Sequence, residues 1–354
     1  MSATDPVLEL ESMDKHFQTT SSFVESVKER VFGEGPKLVR AVDDLDMTLE
    51  QNQVQGVIGE SGCGKTTLLR TVMGLYDPTG GDVRFQGQST SEFSKADWKE
   101  FRRKVQIVFQ DPFNSLDPKF SVRRTIAEPL EIHDIDYERS DIEEMLEKVG
   151  LTPASQYIQQ FPNQLSGGEK QRVAIARALI TDPEVILADE PSSMLDVSTQ
   201  AEILNLLNGL TSEFGVSMIY ISHDLSTVSY ICDEINVMYL GRIVEKAETR
   251  ELLSDPKHPY TKALIQSIPI PDPHHERERA TIGGEPGDPI DMPEGCRFKT
   301  RCPERMDVCD HEPLDVDPDG EGERSVACHL YYDHEATAGD AEEPVEEHTP
   351  ETPT

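Results

Sequence analysis

The sequence predicts an α/β fold with a parallel sheet at its centre, on three observations. A glycine-rich loop, Gly59-Glu60-Ser61-Gly62-Cys63-Gly64-Lys65-Thr66-Thr67, joins an apolar run at 53–58 to a helical run at 65–73. A second apolar run, Val185-Ile186-Leu187-Ala188, ends in Asp189-Glu190, and a third spans 217–221. Short apolar strands alternating with helical segments are the pattern of a parallel sheet buried on both faces.

The elements follow in order. Residues 7–10 read as a first short strand, and 53–58 as the strand that feeds the glycine loop. After the Gly80-Gly81 turn, 82–85 and 105–109 are again strand-like, the latter with the β-branched residues of a buried sheet. From 121 to 180 the pattern turns helical. There Ser140 and Glu143 predict a capping box, Ile142, Met145, Leu146 and Val149 fall at helical spacing, and Gly150 supplies the stop. Ile203, Leu204, Leu206, Leu207 and Leu210 mark an amphipathic helix between the strands at 185–188 and 217–221. Beyond Asp255 the composition shifts through Pro269, Pro271, Pro273, His274 and His275 to Gly283-Gly284, which predicts a linker over 256–291. Residues 292–332 hold a cysteine cluster. After Arg324 acids continue without lysine or arginine, so 333–354 is expected to be a disordered acidic tail.

Composition bounds the function. With 354 residues, 36% of them hydrophobic, the chain can build one large core or a large unit with a small one. Its 67 acidic against 33 basic residues give a net charge of −34, whose self-repulsion opposes compaction in dilute buffer. At molar salt the Debye length is about 3 Å, so a halophile-type acidic surface in a cytoplasm of high ionic strength is the expectation. Nucleic acid is disfavoured as a partner, because affinity for phosphate backbones comes from basic patches. No run approaches the roughly 18 apolar residues of a membrane span, and residues 1–11 lack a basic-then-apolar leader, so a cytosolic chain is expected.

The glycine loop fits G-x-x-x-x-G-K-[ST] between a strand and a helix, the context that gives this spacing meaning. Glycines let backbone amides converge on phosphates, and the positive end of the helix dipole adds to the field. Lys65 is expected to reach the β- and γ-phosphates and Thr66 to ligate Mg²⁺, while Cys63 is a small spacer. Asp189 is expected to hold Mg²⁺ through water, and Glu190 to polarise the attacking water as base or orienter. Further on, Ser166 and Glu169 form a capping box. That leaves Leu165 and the pair Gly167-Gly168 unexplained, and bare amides at a helix start suit a phosphate from outside.

Through the glycine loop, Leu165-Ser166-Gly167-Gly168-Glu169, the strand ending in Asp189-Glu190, Ser193-Met194-Leu195-Asp196 and His223, residues 7–255 resemble the nucleotide-binding subunit of ABC transporters. The resemblance implies a P-loop NTPase of ABC type, with a RecA-like parallel core, an antiparallel β subdomain and a helical subdomain at about 112–180. It implies ATP and Mg²⁺ as cofactors and a head-to-tail pair of subunits, in which 165–169 and the segment 193–196 serve the partner's ATP. Gln110 would belong to the loop that senses Mg²⁺ and the membrane subunit, His223 would be the switch histidine near the γ-phosphate, and Phe17 would stack on adenine. Glu169 stands where this family commonly has Gln, and Met194 where it commonly has Ala.

His258-Pro259-Tyr260-Thr261-Lys262-Ala263-Leu264, Gly295-Cys296-Arg297-Phe298 and Arg301-Cys302-Pro303 look like the C-terminal extension of oligopeptide and dipeptide importer ATPases. The implied partners are two membrane permeases, an extracytoplasmic binding protein and a second ATPase subunit, paralogous or identical, at the cytoplasmic face of the membrane. The implied function is ATP hydrolysis that energises peptide import. Import of nickel or another small solute is the alternative cargo, and a soluble ABC ATPase of DNA repair or translation is the alternative of another class. Cys296, Cys302, Cys309 and Cys328 are separated by five, six and eighteen residues. Four soft thiolates suit an iron-sulfur cluster or tetrahedral zinc, and unligated buried thiols are the third reading. The importer resemblance favours a 4Fe-4S cluster. Cys232 follows a helical stretch and is expected in the core.

Overall fold

The computed structural model of the chain describes residues 6–18, 37–111, 115–267, 287, 289–290, 292–320, 322 and 324–333. Two sheets organise them. The central one has eight strands in the order β11-β12-β10-β9-β3-β8-β7-β6. These are β3 (Val54–Ile58), β6 (Val105–Val108), β7 (Val185–Asp189), β8 (Ser217–Ser222), β9 (Glu234–Tyr239), β10 (Arg242–Glu248), β11 (Asp315–Val316) and β12 (Ser325–Ala327). Strands β9, β3, β8, β7 and β6 run parallel, and β10, β12 and β11 extend the sheet in antiparallel fashion.

The continuous apolar runs of β7 and β8 explain this placement, because both faces of the sheet are buried. Val185, Leu187, Ile219 and Ile221 point into one core, whereas Ile186, Ala188, Met218 and Tyr220 point into the other. Each fully buried large apolar side chain contributes about 1.5–3 kcal/mol, so losing strand alternation anywhere in β7 costs both cores at once.

The first core lies under an antiparallel sheet of order β2-β1-β4-β5, made of β1 (Leu8–Gln18), β2 (Leu38–Leu49), β4 (Gly80–Phe85) and β5 (Gln88–Ser89). The sequence reading ended the first strand at 10 and missed β2. Register shifts after Leu10 and at Ser12, whose φ is +42°, break the period-two pattern that would have extended it. Helix α1 (Lys65–Val72) buries Leu68, Leu69 and Val72 between this sheet and the parallel one.

The second core is helical. The segment read as broadly helical from 121 to 180 divides into α3 (Val122–Ile132), α4 (Arg139–Lys148), the single turn α5 (Ala154–Tyr157) and α6 (Gly167–Leu179), with α2 (Lys95–Lys104) preceding them. The capping box expected from Ser140 and Glu143 is two residues further upstream. Glu138 is the N-cap and exchanges hydrogen bonds with Asp141, so α4 starts at Arg139 and Ser140 lies inside it. The predicted core residues Ile142, Met145, Leu146 and Val149 are all buried, and Gly150 ends the helix at φ +81°. Helix α7 (Val197–Phe214) is capped by the Asp196 carboxylate and stopped by Gly215, and α8 (Leu225–Ile231) follows β8. Cys232 is buried as expected.

The linker expected from 256 begins later than composition implied. After α9 (Thr249–Ser254) comes α10 (Pro259–Gln266), with Pro259 at its first turn and Tyr260 and Thr261 fully buried. His258 caps it, accepting the Tyr260 amide at Nδ1 (3.0 Å), and burial pushes its imidazole down to about 3, which keeps that acceptor unprotonated. Most of the Pro-rich stretch, 268–286, lies outside the described residues, as does the tail from 334. The cysteine region does not stand apart from the main unit: β12 pairs with β10 of the central sheet. Buried Arg324 anchors it further by ion pairs to Glu245 (2.7 Å) and Glu251 (3.0 Å).

Candidate active site

Parallel register brings the expected site residues to one edge. Ile58 stands beside Ser222, and Asp189 beside Ile221, so the glycine loop, Asp189-Glu190 and His223 all leave the sheet at its carboxyl end. Val108 pairs with Ala188, which sets Gln110 two residues beyond the same edge. One cavity there is lined by Phe17, Val39, Ala41, Ser61, Gly62, Gly64, Lys65, Thr66, Thr67, Gln110, Glu190 and His223.

The loop's shape depends on its glycines. Gly64 holds φ +117°, and a Cβ there would stand 1.9 Å from the Ala41 carbonyl oxygen, so no other residue fits. Gly64 is also the N-cap of α1 and makes no side-chain cap, which leaves the first amides of the helix open to an anion. Lys65 is buried, its Nζ donating to the carbonyls of Gly59 (2.7 Å) and Glu60 (3.0 Å). Cys63 is buried beside it, and desolvation raises its thiol above the ordinary range, which fits a packing role.

Thr66 Oγ1 donates to Asp189 Oδ1 at 3.2 Å. Asp189 is buried, and burial followed by the neighbouring Glu190 charge raises its carboxyl above the ordinary range. A hydroxyl and a desolvated carboxylate at that separation are hard oxygen donors of the kind Mg²⁺ takes. Glu190 sits at φ +45°, a strained conformation for a residue with a side chain. Its amide donates to the Ile221 carbonyl (3.0 Å), and its own carbonyl accepts from the Ser193 hydroxyl (3.1 Å), which hold the residue there. Its Oε2 accepts from Gln110 Nε2 and pairs with His223 Nδ1, each at 2.9 Å. Because a carboxylate oxygen only accepts, His223 carries its proton on Nδ1 in this contact. Among the described residues the other oxygen, Oε1, has no hydrogen-bond partner.

Phe17 packs edge-on against Tyr76 with ring centroids 5.3 Å apart, and Lys15 Nζ lies 5.0 Å from its centroid. With Val39 and Ala41 it forms the apolar end of the cavity.

Residues 165–169 contribute nothing to that cavity's described lining. Leu165 is buried in the helical core. Ser166 and Glu169 form the expected capping box, with Ser166 N–H to Glu169 Oε2 at 2.7 Å and Glu169 N–H to Ser166 Oγ at 3.3 Å. Gly168 has a packing reason as well: a Cβ there would meet Thr199 Cγ2 of α7 at 2.3 Å. In the 193–196 segment Met194 is exposed, although it is a large apolar side chain.

The four C-terminal cysteines converge from three stretches of chain. The Cys296 amide donates to the Cys309 carbonyl (3.0 Å), and the thiols of Cys296, Cys302 and Cys309 all act electrostatically on Cys328. Burial first, then this crowding, pushes Cys296 up to about 11 and Cys328 up to about 12. Among the described residues no three of these sulfurs lie mutually within 4.8 Å, whereas tetrahedral zinc at about 2.3 Å per sulfur needs edges of about 3.8 Å. The close group Asp14, His16 and Asp43 is an ion-pair network instead, since Asp43 is bound by Arg297 and flanked by Arg242 and Arg40.

Sequence reasoning missed the contribution of the C-terminal region to this edge. Arg301 pairs with Glu60 of the glycine loop, Tyr260 accepts the Glu60 amide, and Arg297 reaches Asp43 of β2 and the Leu240 carbonyl. Both arginines lie between Cys296 and Cys302, the one local signal that could have drawn notice.

Residues 42–193 match a family model described as ABC transporter, and 244–309 match one described as Oligopeptide/dipeptide transporter, C-terminal region. The chain is 44% identical over 332 residues to the putative oligopeptide transport ATP-binding protein YkfD of Bacillus subtilis, covering 92% of this chain and 96% of that one. It is 41% identical over 333 residues to the oligopeptide transport ATP-binding protein AppF of the same organism, covering 92% and 98%. Among solved structures, the dimeric post-hydrolysis state of the ATP-binding cassette MJ0796 bound to ADP and Pi aligns with a TM-score of 0.58 at 27% identity. It covers 69% of this chain and 99% of that one. CbiO1 from Clostridium perfringens, part of the ABC transporter complex cbiONQ, aligns equally well at 26% identity, covering 71% and 92%.

Proposed function

The chain belongs to the ATP-binding subunits of ABC transporters, in the oligopeptide and dipeptide importer group, and from that membership we propose that it hydrolyses ATP to drive import of peptides across the cell membrane. The observation that carries the cargo is the joint presence in one chain of the cassette match and the peptide-transporter C-terminal match.

The site supports the following division of labour. The amides of the loop 59–67 and the start of α1 bind the phosphates, and Lys65 leaves its carbonyl partners for the β- and γ-phosphates. Thr66 and Asp189, with Gln110, hold Mg²⁺, which neutralises charge on the phosphate oxygens when bound. Phe17 takes the adenine at the apolar end of the cavity. Gln110 and His223 fix one oxygen of Glu190, so that Oε1 accepts a hydrogen bond from the water that attacks the γ-phosphorus. Residues 165–169, outside this chain's own cavity, complete the ATP site of a second subunit, identical or paralogous, and exposed Met194 in the segment 193–196 meets that subunit.

No helix among the described residues is long and apolar enough to cross a membrane. By the importer family membership, two permease subunits supply the path and hold the chain at the cytoplasmic face, and an extracytoplasmic binding protein delivers the peptide. Cys296, Cys302, Cys309 and Cys328 are the candidate ligands of a 4Fe-4S cluster, with tetrahedral zinc as the alternative; the reading rests on four thiols converging in one small region. Such a cluster would staple a region that has little apolar core of its own.

The cargo is tested with the whole transporter in proteoliposomes. ATP hydrolysis is expected to rise severalfold when binding protein loaded with an oligopeptide is added. Stimulation by nickel-loaded binding protein, with none by peptide, would overturn the peptide reading.

A further inference from the structure

Every polar group of Glu60 is engaged, and two of the three are engaged by the far end of the chain. Its carboxylate accepts a bidentate pair from Arg301, Nη1 to Oε2 at 2.7 Å and Nη2 to Oε1 at 2.9 Å. Its amide donates to Tyr260 Oη at 2.9 Å, and its carbonyl accepts from Lys65 Nζ at 3.0 Å. The Arg301 side chain is only 6% exposed, and its guanidinium lies 5.8 Å and 6.0 Å from the rings of Tyr239 and Phe298. Tyr260 is itself fully buried against those rings. Glu60 lines a separate cleft with His223, Asp224 and Leu225, next to the nucleotide cavity.

A carboxylate within a phosphate-binding loop repels the anion the loop is built to hold, unless a cation cancels it. A planar guanidinium bound at both oxygens cancels the charge and also fixes the side chain that carries it. The Tyr260 hydroxyl fixes the adjoining backbone, so the stretch from Gly59 to Lys65 is braced at Glu60 by both residues. We infer that Arg301 is a positioning residue of the nucleotide site: paired with Glu60 and working beside Tyr260, it holds the phosphate loop in the shape that receives ATP. Because Arg301 adjoins Cys302, the cysteine region then sets nucleotide affinity without touching nucleotide. The inference rests on the nucleotide reading of the cavity.

The test measures Mg-ATP affinity and steady-state hydrolysis of the full chain, with its partner subunits present for the rate. Arg301→Gln is expected to weaken ATP binding about tenfold while kcat at saturating ATP stays within about threefold, and Arg301→Lys to recover part of the loss. In a Glu60→Gln background, where no carboxylate needs cancelling, the same Arg301→Gln change is expected to cost less than about twofold. An Arg301→Gln chain that melts earlier but binds ATP like wild type overturns the inference, as does a full penalty in the Glu60→Gln background. Should Arg301→Gln fail to fold, Tyr260→Phe carries the test: weaker ATP binding is expected, and unchanged binding overturns it. Wild-type chain with no ATP affinity would overturn the nucleotide reading and this inference together.

Discussion

A Glu190→Gln chain is expected to bind ATP as wild type does and to hydrolyse it on the order of 10² to 10⁴ times more slowly. The magnitude follows from the contacts. Glu190 Oε2 is held by two donors, Gln110 Nε2 and His223 Nδ1, at 2.9 Å each. A glutamine can satisfy both only by presenting its carbonyl oxygen to them, which turns its NH₂ group towards the attacking water. That group donates and does not accept, so the water loses both its orienting acceptor and the negative charge that stabilises its developing positive character. Binding is spared because the loop, Lys65, Thr66 and Asp189 are untouched, and the +45° backbone of residue 190 suits glutamine no worse than glutamate. Phosphate release measured beside ATP affinity checks this. A near-normal rate in the variant would remove Glu190 from its assigned role.

Chain purified without oxygen is expected to be brown and to carry about four irons, and a Cys309→Ser chain to lose nearly all of them. Cys309 and Cys328 are buried and Cys296 and Cys302 half-buried; burial first, and then the neighbouring thiols, push Cys328 up to about 12. As thiols they avoid the cost of ionising there by staying protonated, whereas a cation bound among them would stabilise the thiolates and hold the region together. Iron and zinc analysis with a visible spectrum decides it. Colourless protein with one zinc per chain would replace the cluster with a structural metal site.

What the sequence made legible was local. The glycine loop, the Asp189-Glu190 strand end and His223 each carry their signal within a few residues, and the shared carboxyl edge follows once the strands are known to be parallel. Two strands of the antiparallel sheet were read, at 7–10 and 82–85, but β2 was missed and the rest of β1 was hidden because the strand is broken at Ser12 and alternates weakly beyond it. The β9-β10 hairpin was readable in principle. Leu240 and Gly241 both hold positive φ between Tyr239 and Arg242, the turn geometry of a two-residue hairpin, but leucine at the first turn position masks it. Arg301 and Tyr260 were beyond reach for a different reason. Their partner, Glu60, is more than 190 residues away, and an arginine in an acidic chain reads as a solvated charge until its burial is seen. Glu60 accordingly reads from sequence as a phosphate-loop residue, whereas its polar groups face Arg301, Tyr260 and Lys65.

The central claim is that the two glycine motifs belong to two different ATP sites, 59–67 to this chain's own and 165–169 to a partner's. Capping-box contacts hold 165–169 on α6, away from the described lining of the 59–67 cavity. Specific ATPase activity measured against subunit concentration, for this chain alone and with its companion ATPase subunit, tests it most directly. The account predicts near-zero activity for dilute monomer and a steep rise as subunits pair; a specific activity independent of concentration, in protein shown to be monomeric with ATP bound, would contradict it.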